Sequence, residues 1–104
     1  MTDTIAHTAP LRRWQGDRGT YHMLTIDGDC ADAIAMHERL HRLEFGARRG
    51  FGSVKCMARI GETEWKTSVF PSKSGDWWLL VGKKVMRSED LAVDDPVAVT
   101  LNLL

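Results

Sequence analysis

The most specific chemical pattern in the sequence is a pair of histidines with a glutamate between them. His37, Glu38 and His41 fit the motif His-Glu-x-x-His, within a segment whose hydrophobic pattern predicts a helix. Histidines four positions apart lie on one face of a helix and can share a zinc ion. The intervening glutamate can then take a proton from a zinc-bound water. The motif therefore raises the hypothesis of a zinc-dependent hydrolase.

A zinc site of this kind needs a third protein ligand, which the sequence does not specify. The downstream Gly-x-x-His of the longer motif is absent, and Glu44, His22 and Cys56 have no diagnostic spacing as substitutes. Histidines also occur at the rim of a helix that lies on a sheet. We therefore favour structural histidines at positions 37 and 41, and we assign no catalytic residue, no metal and no cofactor.

Two clusters of basic residues could bind an anion. Arg48 and Arg49 lie between glycines in a loop, where arginine can hold a phosphate or stack on a base. Lys83, Lys84 and Arg87 lie at the start of a short predicted helix, where backbone N–H groups favour anions. The alternative for both clusters is a solvated charged surface, which we favour. They remain candidates for a small anionic ligand.

The charge balance argues against nucleic acid as the main partner. Fourteen basic residues offset fourteen acidic ones, so the formal net charge is zero. Proteins that bind nucleic acid usually carry a basic excess, because phosphate contacts supply much of the affinity. A net charge near zero also removes one barrier to self-association, so a homodimer is compatible with the sequence.

Two adjacent tryptophans give the best indication of a binding surface. Trp77 and Trp78 lie in an apolar run that predicts a strand, and neighbouring side chains on a strand point to opposite faces. One of the two rings must therefore be exposed, or be covered by another element or a partner. The economical alternative is that both rings belong to the core or its rim.

Alternating hydrophobicity and turn residues predict a small, mainly β protein. The first ten residues read as a loose, flexible tail, and residues 11–104 as a single domain. Strands are predicted at 11–14, 20–26, 53–60, 63–70, 77–81 and 97–103. Six short strands with two helices favour a small barrel or pseudobarrel with helical caps.

The longer helix is predicted at about residues 29–45, with Asp29 as N-cap and Gly46 as C-cap. A shorter helix is predicted at about 83–90. The apolar arc of the longer helix, which should pack on another part of the protein, carries Cys30, Ala33, Ile34, Met36, His37, Leu40, His41 and Leu43.

From Trp14 to the C-terminus the chain resembles a bacterial and archaeal family, the domain-of-unknown-function family numbered nineteen-oh-five. The resemblance rests on the segments Trp65–Pro71, the Gly-Asp-Trp turn, Trp78–Val81, Lys84–Arg87 and Leu91–Val97. It implies a double-split β-barrel, an architecture shared with AbrB-like regulators and antitoxins. The family has no established catalytic residues to transfer to this chain.

The chain departs from the family pattern before its last strand. Asp94 and Asp95 stand where Gly-Asp is usual, and we expect a left-handed turn to persist because aspartate tolerates it better than most residues. Gly82 also replaces a residue that is commonly lysine. Fold kinship alone does not transfer function, so DNA binding stays an alternative.

These features together predict a cytoplasmic binding or interaction module without enzymatic activity. The chain lacks an apolar run of membrane-spanning length and a secretion-signal pattern, and its two cysteines suggest a reducing compartment. The expected partner is another protein, a small anionic ligand or a second copy of the chain. An AbrB-like DNA-binding regulator and a zinc hydrolase are the alternatives.

Overall fold

The strongest alternating pattern forms the middle of the sheet. The computed structural model describes residues 3–46 and 52–104. Within it, β4 (Val54–Ile60) and β5 (Thr63–Pro71) pair antiparallel, with Ala58 opposite Trp65. Alternate residues of β4 are buried and the others lie outward or at intermediate depth, as a strand with one covered face requires.

The described residues form one antiparallel sheet of seven strands with two helices. The remaining elements are β1 (Asp3–Pro10), β2 (Arg12–Gly16), β3 (Gly19–Ile26), α1 (Gly28–Phe45), β6 (Trp77–Leu80), α2 (Lys83–Ser88) and β7 (Pro96–Leu103). The order across the sheet is β1-β7-β4-β5-β6-β3-β2. The protein is therefore mainly β, as predicted.

A single residue joins the two ends of this sheet. β1 and β2 lie at opposite ends of the strand order, yet only Leu11 separates them in sequence. The sheet must therefore curl until its ends approach each other, which gives a half-barrel. Leu11 is fully buried at the joint, where its N–H donates to the Asp95 carbonyl at 2.9 Å and its carbonyl accepts from the Asp94 N–H at 2.8 Å.

The number of strands differs from the prediction of six because the expected N-terminal tail is wrong for Asp3–Pro10. This segment is β1, and it pairs with β7 along its whole length. Ile5 and Ala9 point into the core and are buried. The period of two is obscured because the polar His7 takes the alternate position between them and the apolar Ala6 is exposed. The strand is stabilised by the distant β7 rather than by its own composition.

The core lies on the inner, concave face of the sheet. Its largest fully buried side chains come from the β1–β2 joint, from five of the strands and from α1: Leu11, Leu24, Ile26, Ile34, Cys56, Val69, Leu79, Val99 and Leu101. No helix within the described residues is both long and apolar enough to cross a membrane.

The N-cap of helix α1 lies two residues before the predicted one. The N-cap is Asp27 rather than Asp29, and the Asp27 carboxylate lies 3.6 Å from His7 Nε2. The C-terminal prediction is confirmed, because Gly46 adopts a left-handed φ of 75° and its N–H donates to the Arg42 carbonyl at 2.7 Å.

The predicted buried arc of α1 is wrong in part. Ile34 is buried, but Met36, Leu40 and Leu43 are exposed, and the outermost, Leu43, is 75% exposed. The helix packs close to β1, where the Cys30 thiol lies 3.4 Å from the Ala6 carbonyl. Only a narrow strip of the helix faces the core there, so most of the apolar arc is turned outward.

The short helix α2 is tied to the β4–β5 turn. Val85 is its buried residue, and just beyond the helix Glu89 accepts a hydrogen bond from Thr63 Oγ1 at 2.6 Å. Gly61 has a positive φ, which favours glycine, and a Cβ there would also force the Glu89 carboxylate to move. The turn before β7 also forms as expected, since Asp94 has φ of 74°.

Candidate partner-binding face

One outer part of the sheet is covered mainly by large apolar side chains. Alternate residues of β2, β3 and β6 point outward there, and cross-strand register places Trp14 opposite Tyr21 and Met23 opposite Leu80. We call this surface the aromatic face. It surrounds an open groove of roughly 300 Å³ that is lined by Trp14, Tyr21, Met23, Trp78 and Leu80.

The rings of the aromatic face are strongly exposed. Trp14 is 53% exposed and Trp78 is 42% exposed, whereas Met23 forms a buried floor between them. The Trp14 and Tyr21 ring centroids are 5.8 Å apart at an interplanar angle of 31°, which is within the range of a favourable aromatic pair. A contiguous exposed apolar patch of this kind is typical of interaction sites.

The two adjacent tryptophans face opposite ways, as strand geometry predicts. Trp77 is 5% exposed and points into the core, whereas Trp78 lies on the aromatic face. Phe70 on β5 pairs with Trp78 and is also exposed, so it extends the apolar surface towards the middle of the sheet. Of the two candidate tryptophans, only Trp78 is therefore accessible to a partner.

Sequence reasoning missed Trp14, Tyr21 and Leu80 as members of this face. The available signal was the two-residue Asp-Arg turn between Gly16 and Gly19, which fixes the register of the β2–β3 hairpin. That register puts Trp14 directly opposite Tyr21. Their partnership with β6 is a contact between segments distant in sequence, and local patterns do not encode it.

The turn end of the β2–β3 hairpin extends beyond β6, the strand that pairs with β3. β6 pairs only with the Met23–Ile26 part of β3, so the beginning of β3 is paired with β2 alone. The four β2 residues before the half-buried Gly16 are all exposed. Arg12 binds Asp94 at 2.7 Å, and Arg13 and Arg18 are exposed on the same hairpin.

The His-Glu-x-x-His residues lie on α1 at intermediate depth. His37 Nε2 is 3.1 Å from the carbonyl oxygen of Leu104, and Glu38 Oε2 is 3.8 Å from Arg42 Nη2. Within residues 3–46 and 52–104, no three His, Cys, Asp or Glu side chains come together as a metal-binding group. The zinc hypothesis thus gains no third ligand from the described part of the chain.

Cys56 is unsuited to be the missing zinc ligand. Its side chain is fully buried in the core on the inner face of β4. Burial raises the pKa of the Cys56 thiol from its ordinary 9.0 to about 11, because the thiolate would lose its hydration. Metal binding requires the thiolate form.

Part of one predicted basic cluster borders a depression beside α2. His22, Lys83 and Arg87 line it together with Met86, Asp90 and Leu91, and its volume is roughly 390 Å³. Lys83 and Arg87 are four residues apart and so lie on one side of the helix. Lys84 is exposed but does not line this depression. The other predicted cluster, Arg48 and Arg49, lies outside the described residues.

Comparison with known proteins identifies a related family. A family model described as a domain of unknown function (DUF1905) matches residues 7–101. The matched region contains the whole of β2, β3 and β6 and therefore the entire aromatic face. No curated protein matches the chain.

Proposed function

We propose that this chain, which belongs to the family described as a domain of unknown function (DUF1905), is a non-enzymatic module that binds a partner protein on its aromatic face. The observation that carries this proposal is the groove lined by Trp14, Tyr21 and Trp78 on an otherwise ordinary sheet surface. The cytoplasmic location and the double-split barrel implied by the family resemblance are parts of the same proposal.

The composition of the face supports a protein partner. Tryptophan, tyrosine and arginine are the residues most often found at the energetic centre of protein interfaces. Trp14 and Trp78 are rigid side chains with few rotatable bonds, so little conformational entropy is lost when a partner covers them. The floor provided by Met23 is already buried, which lets the groove accept an inserted side chain without rearrangement of the core.

A capture experiment with matched variants tests the proposal. The immobilised protein is exposed to a lysate of its source cells, and retained proteins are quantified by mass spectrometry. Trp78→Gln should lower retention of the specific partner at least about tenfold, as expected for an interface hot spot. Leu43→Gln removes another exposed apolar side chain, on α1, and should retain the partner. Equal retention by the wild type and both variants would refute this surface assignment.

A second candidate function is anion binding at the depression beside α2. The side chains of His22, Lys83 and Arg87 line it together with Asp90. We expect inorganic phosphate to shift the NMR signals of these residues. The double variant Lys83→Ala/Arg87→Ala should weaken binding about tenfold or more, whereas Lys84→Ala should not. Equal effects from both variants would indicate general surface charge instead of a site.

The DNA-binding regulator and the zinc hydrolase remain alternative predictions with direct measurements of their own. A zinc hydrolase requires near-stoichiometric zinc by elemental analysis, with zinc lost in a His41→Ala variant. A DNA-binding regulator requires affinity for duplex DNA that falls steeply with salt concentration. A binding module predicts neither result, and it predicts that the capture experiment depends on Trp78.

A further inference from the structure

We infer that the partner binds as an extended, acidic strand that adds to the open edge of β2. The inference rests on the proposed function and specifies the chemistry of its partner. Three features carry it: the unpaired edge of β2, the position of Trp14 on that same strand, and the positive charge of the β2–β3 hairpin.

The edge of β2 is available for main-chain hydrogen bonds. β2 ends the strand order, and in the described part of the chain no other strand pairs with its second edge. In an antiparallel ladder, alternate residues direct their N–H and C=O groups away from the existing partner strand. β2 therefore presents a row of donors and acceptors that an extended peptide can satisfy.

The aromatic face is continuous with this edge. Trp14 lies on β2 itself, and an added strand would lie about 4.8 Å away, on the side opposite β3. An outward side chain on that strand would then flank Trp14 from one side as Tyr21 does from the other. Alternate apolar residues of the partner would extend the groove, so hydrogen bonding and apolar burial would act on one segment.

The hairpin carries positive charge within a neutral chain. Arg12, Arg13 and Arg18 are opposed by Asp17 alone between residues 11 and 26, although the whole chain has a net charge of zero. Arg12 already binds Asp94, which leaves the edge with two further exposed arginines, Arg13 and Arg18. The complementary partner carries aspartate or glutamate between its apolar residues.

The same arginines disfavour a second copy of the chain at this edge. Antiparallel pairing of two β2 strands along their whole length would make Arg13 of one copy a diagonal neighbour of Arg13 of the other on the same face. Like charges that face each other across strands are destabilising, and charged residues on edge strands commonly prevent self-pairing. An acidic partner converts this repulsion into attraction, so the edge selects against the chain itself and in favour of a different molecule.

Selection from a displayed library of random peptides, each about ten residues long, tests the inference on the intact chain. Enriched peptides should alternate apolar residues with aspartate or glutamate. Each enriched peptide is then N-methylated in two versions, one at its odd-numbered residues and one at its even-numbered residues. One of the two versions should lose at least about tenfold in affinity, because only one set of alternate residues donates hydrogen bonds to β2. Enrichment of basic or uncharged sequences would overturn the inference.

Charge reversal provides the matched control. Arg13→Glu should weaken an enriched acidic peptide about tenfold, and a peptide with lysine in place of the facing acid should recover affinity for that variant. Arg39→Glu makes the same charge change on exposed α1 and should leave the affinity unchanged. Equal losses from the two variants would overturn the edge assignment. NMR spectra of both variants verify that the fold is retained.

The outcomes separate this inference from the proposed function. Loss of peptide binding in Trp78→Gln without any effect of N-methylation or Arg13→Glu would preserve the aromatic face and overturn strand addition. A library that yields no peptide would also overturn strand addition, and the capture experiment would then decide the proposed function alone. Single-stranded oligothymidine that binds the face in place of acidic peptides would overturn both.

Discussion

The sheet has two halves with the same kind of interior and different exteriors. On the inside, β4 and β5 contribute buried residues such as Cys56 and Val69, and β3 and β6 contribute Leu24 and Leu79. On the outside, the β4–β5 half exposes mainly charged side chains, with Phe70 beside Trp78 as the apolar exception. The β2–β3–β6 half exposes mainly aromatic and aliphatic side chains, with Arg12 as the charged exception. The exposed charges of the first half are Lys55, Arg59, Glu64 and Lys66.

This difference separates the requirements of folding from those of function. A half-barrel needs alternate inward residues to be apolar, and both halves meet that need. The charged exterior of β4 and β5 shows that an apolar exterior is not necessary for a stable strand pair in this sheet. The apolar exterior of β2, β3 and β6 therefore calls for a reason outside folding, and a partner supplies one.

The largest expected effect comes from neighbouring leucines on opposite faces of β6. Leu79 is fully buried and Leu80 is 38% exposed, although they are adjacent. Leu79→Ala should lower the free energy of unfolding by about 2–5 kcal/mol, because it leaves a cavity in the core. Leu80→Ala should lower it by less than about 1 kcal/mol. Urea denaturation measures both, and similar losses would show that the outer face is structural.

The free energy of unfolding should depend on pH through Cys56, which lies in the interior of the charged half. Burial raises the pKa of the Cys56 thiol in the folded state to about 11, above its ordinary 9.0. The stability that the folded protein gains from the buried neutral thiol is therefore fully present below pH 9.0 and is lost as the pH rises through 11. We expect a fall of about 1–2 kcal/mol across that interval. Cys56→Ala should show a smaller fall in parallel denaturation experiments. Equal pH profiles for the two proteins would contradict this assignment.

The charged half also depends on one hydrogen bond to α2. Thr63→Val removes the donor to Glu89 and leaves a partly buried carboxylate without that partner, which should cost about 1–1.5 kcal/mol. Thr20→Val makes the same chemical change at an exposed strand position and serves as the control. Indistinguishable unfolding curves for the two variants would mean that the bond contributes no net stability.

The smallest change in stability is expected at Gly16, on the aromatic half. A Cβ at Gly16 would lie 2.5 Å from two atoms of the Trp14 ring, so Gly16→Ala must displace the ring. We expect less than about 1 kcal/mol loss of stability, together with an altered near-ultraviolet circular dichroism signal as the Trp14–Tyr21 pair separates. Gly82→Ala, where a Cβ meets nothing within 4 Å, is the control. An unchanged spectrum for Gly16→Ala would contradict the ring placement.

Local patterns predicted those parts of the fold that local sequence determines. The β4–β5 hairpin, the Gly46 cap and the opposite orientations of Trp77 and Trp78 follow from periodicity and turn chemistry, and each is present. The turn at Asp94 followed from the tolerance of aspartate for positive φ.

The remaining features depend on contacts between distant segments. β1 is a strand because β7 lies beside it, and nothing within Asp3–Pro10 identifies that partner. The exposed side of α1 depends on where the helix meets the half-barrel. A helical wheel uses only the hydrophobicity of the helix itself, so it placed Leu43 on the buried side. The aromatic face combines Trp14 with Trp78 through β3, and this pairing becomes visible only when the strand order is known.

The pairing of β1 with β7 has a consequence for folding kinetics. β1 is the first strand in the chain, but its partner β7 is the last, and the Thr4–Asn102 hydrogen bond spans 98 positions. Contacts of such long range form slowly, because the entropy of closing the intervening loop is lost before they contribute stability. The local β4–β5 hairpin can close early. During synthesis β1 would wait unpaired until the final strand leaves the ribosome, and β1 and β7 would complete the sheet last.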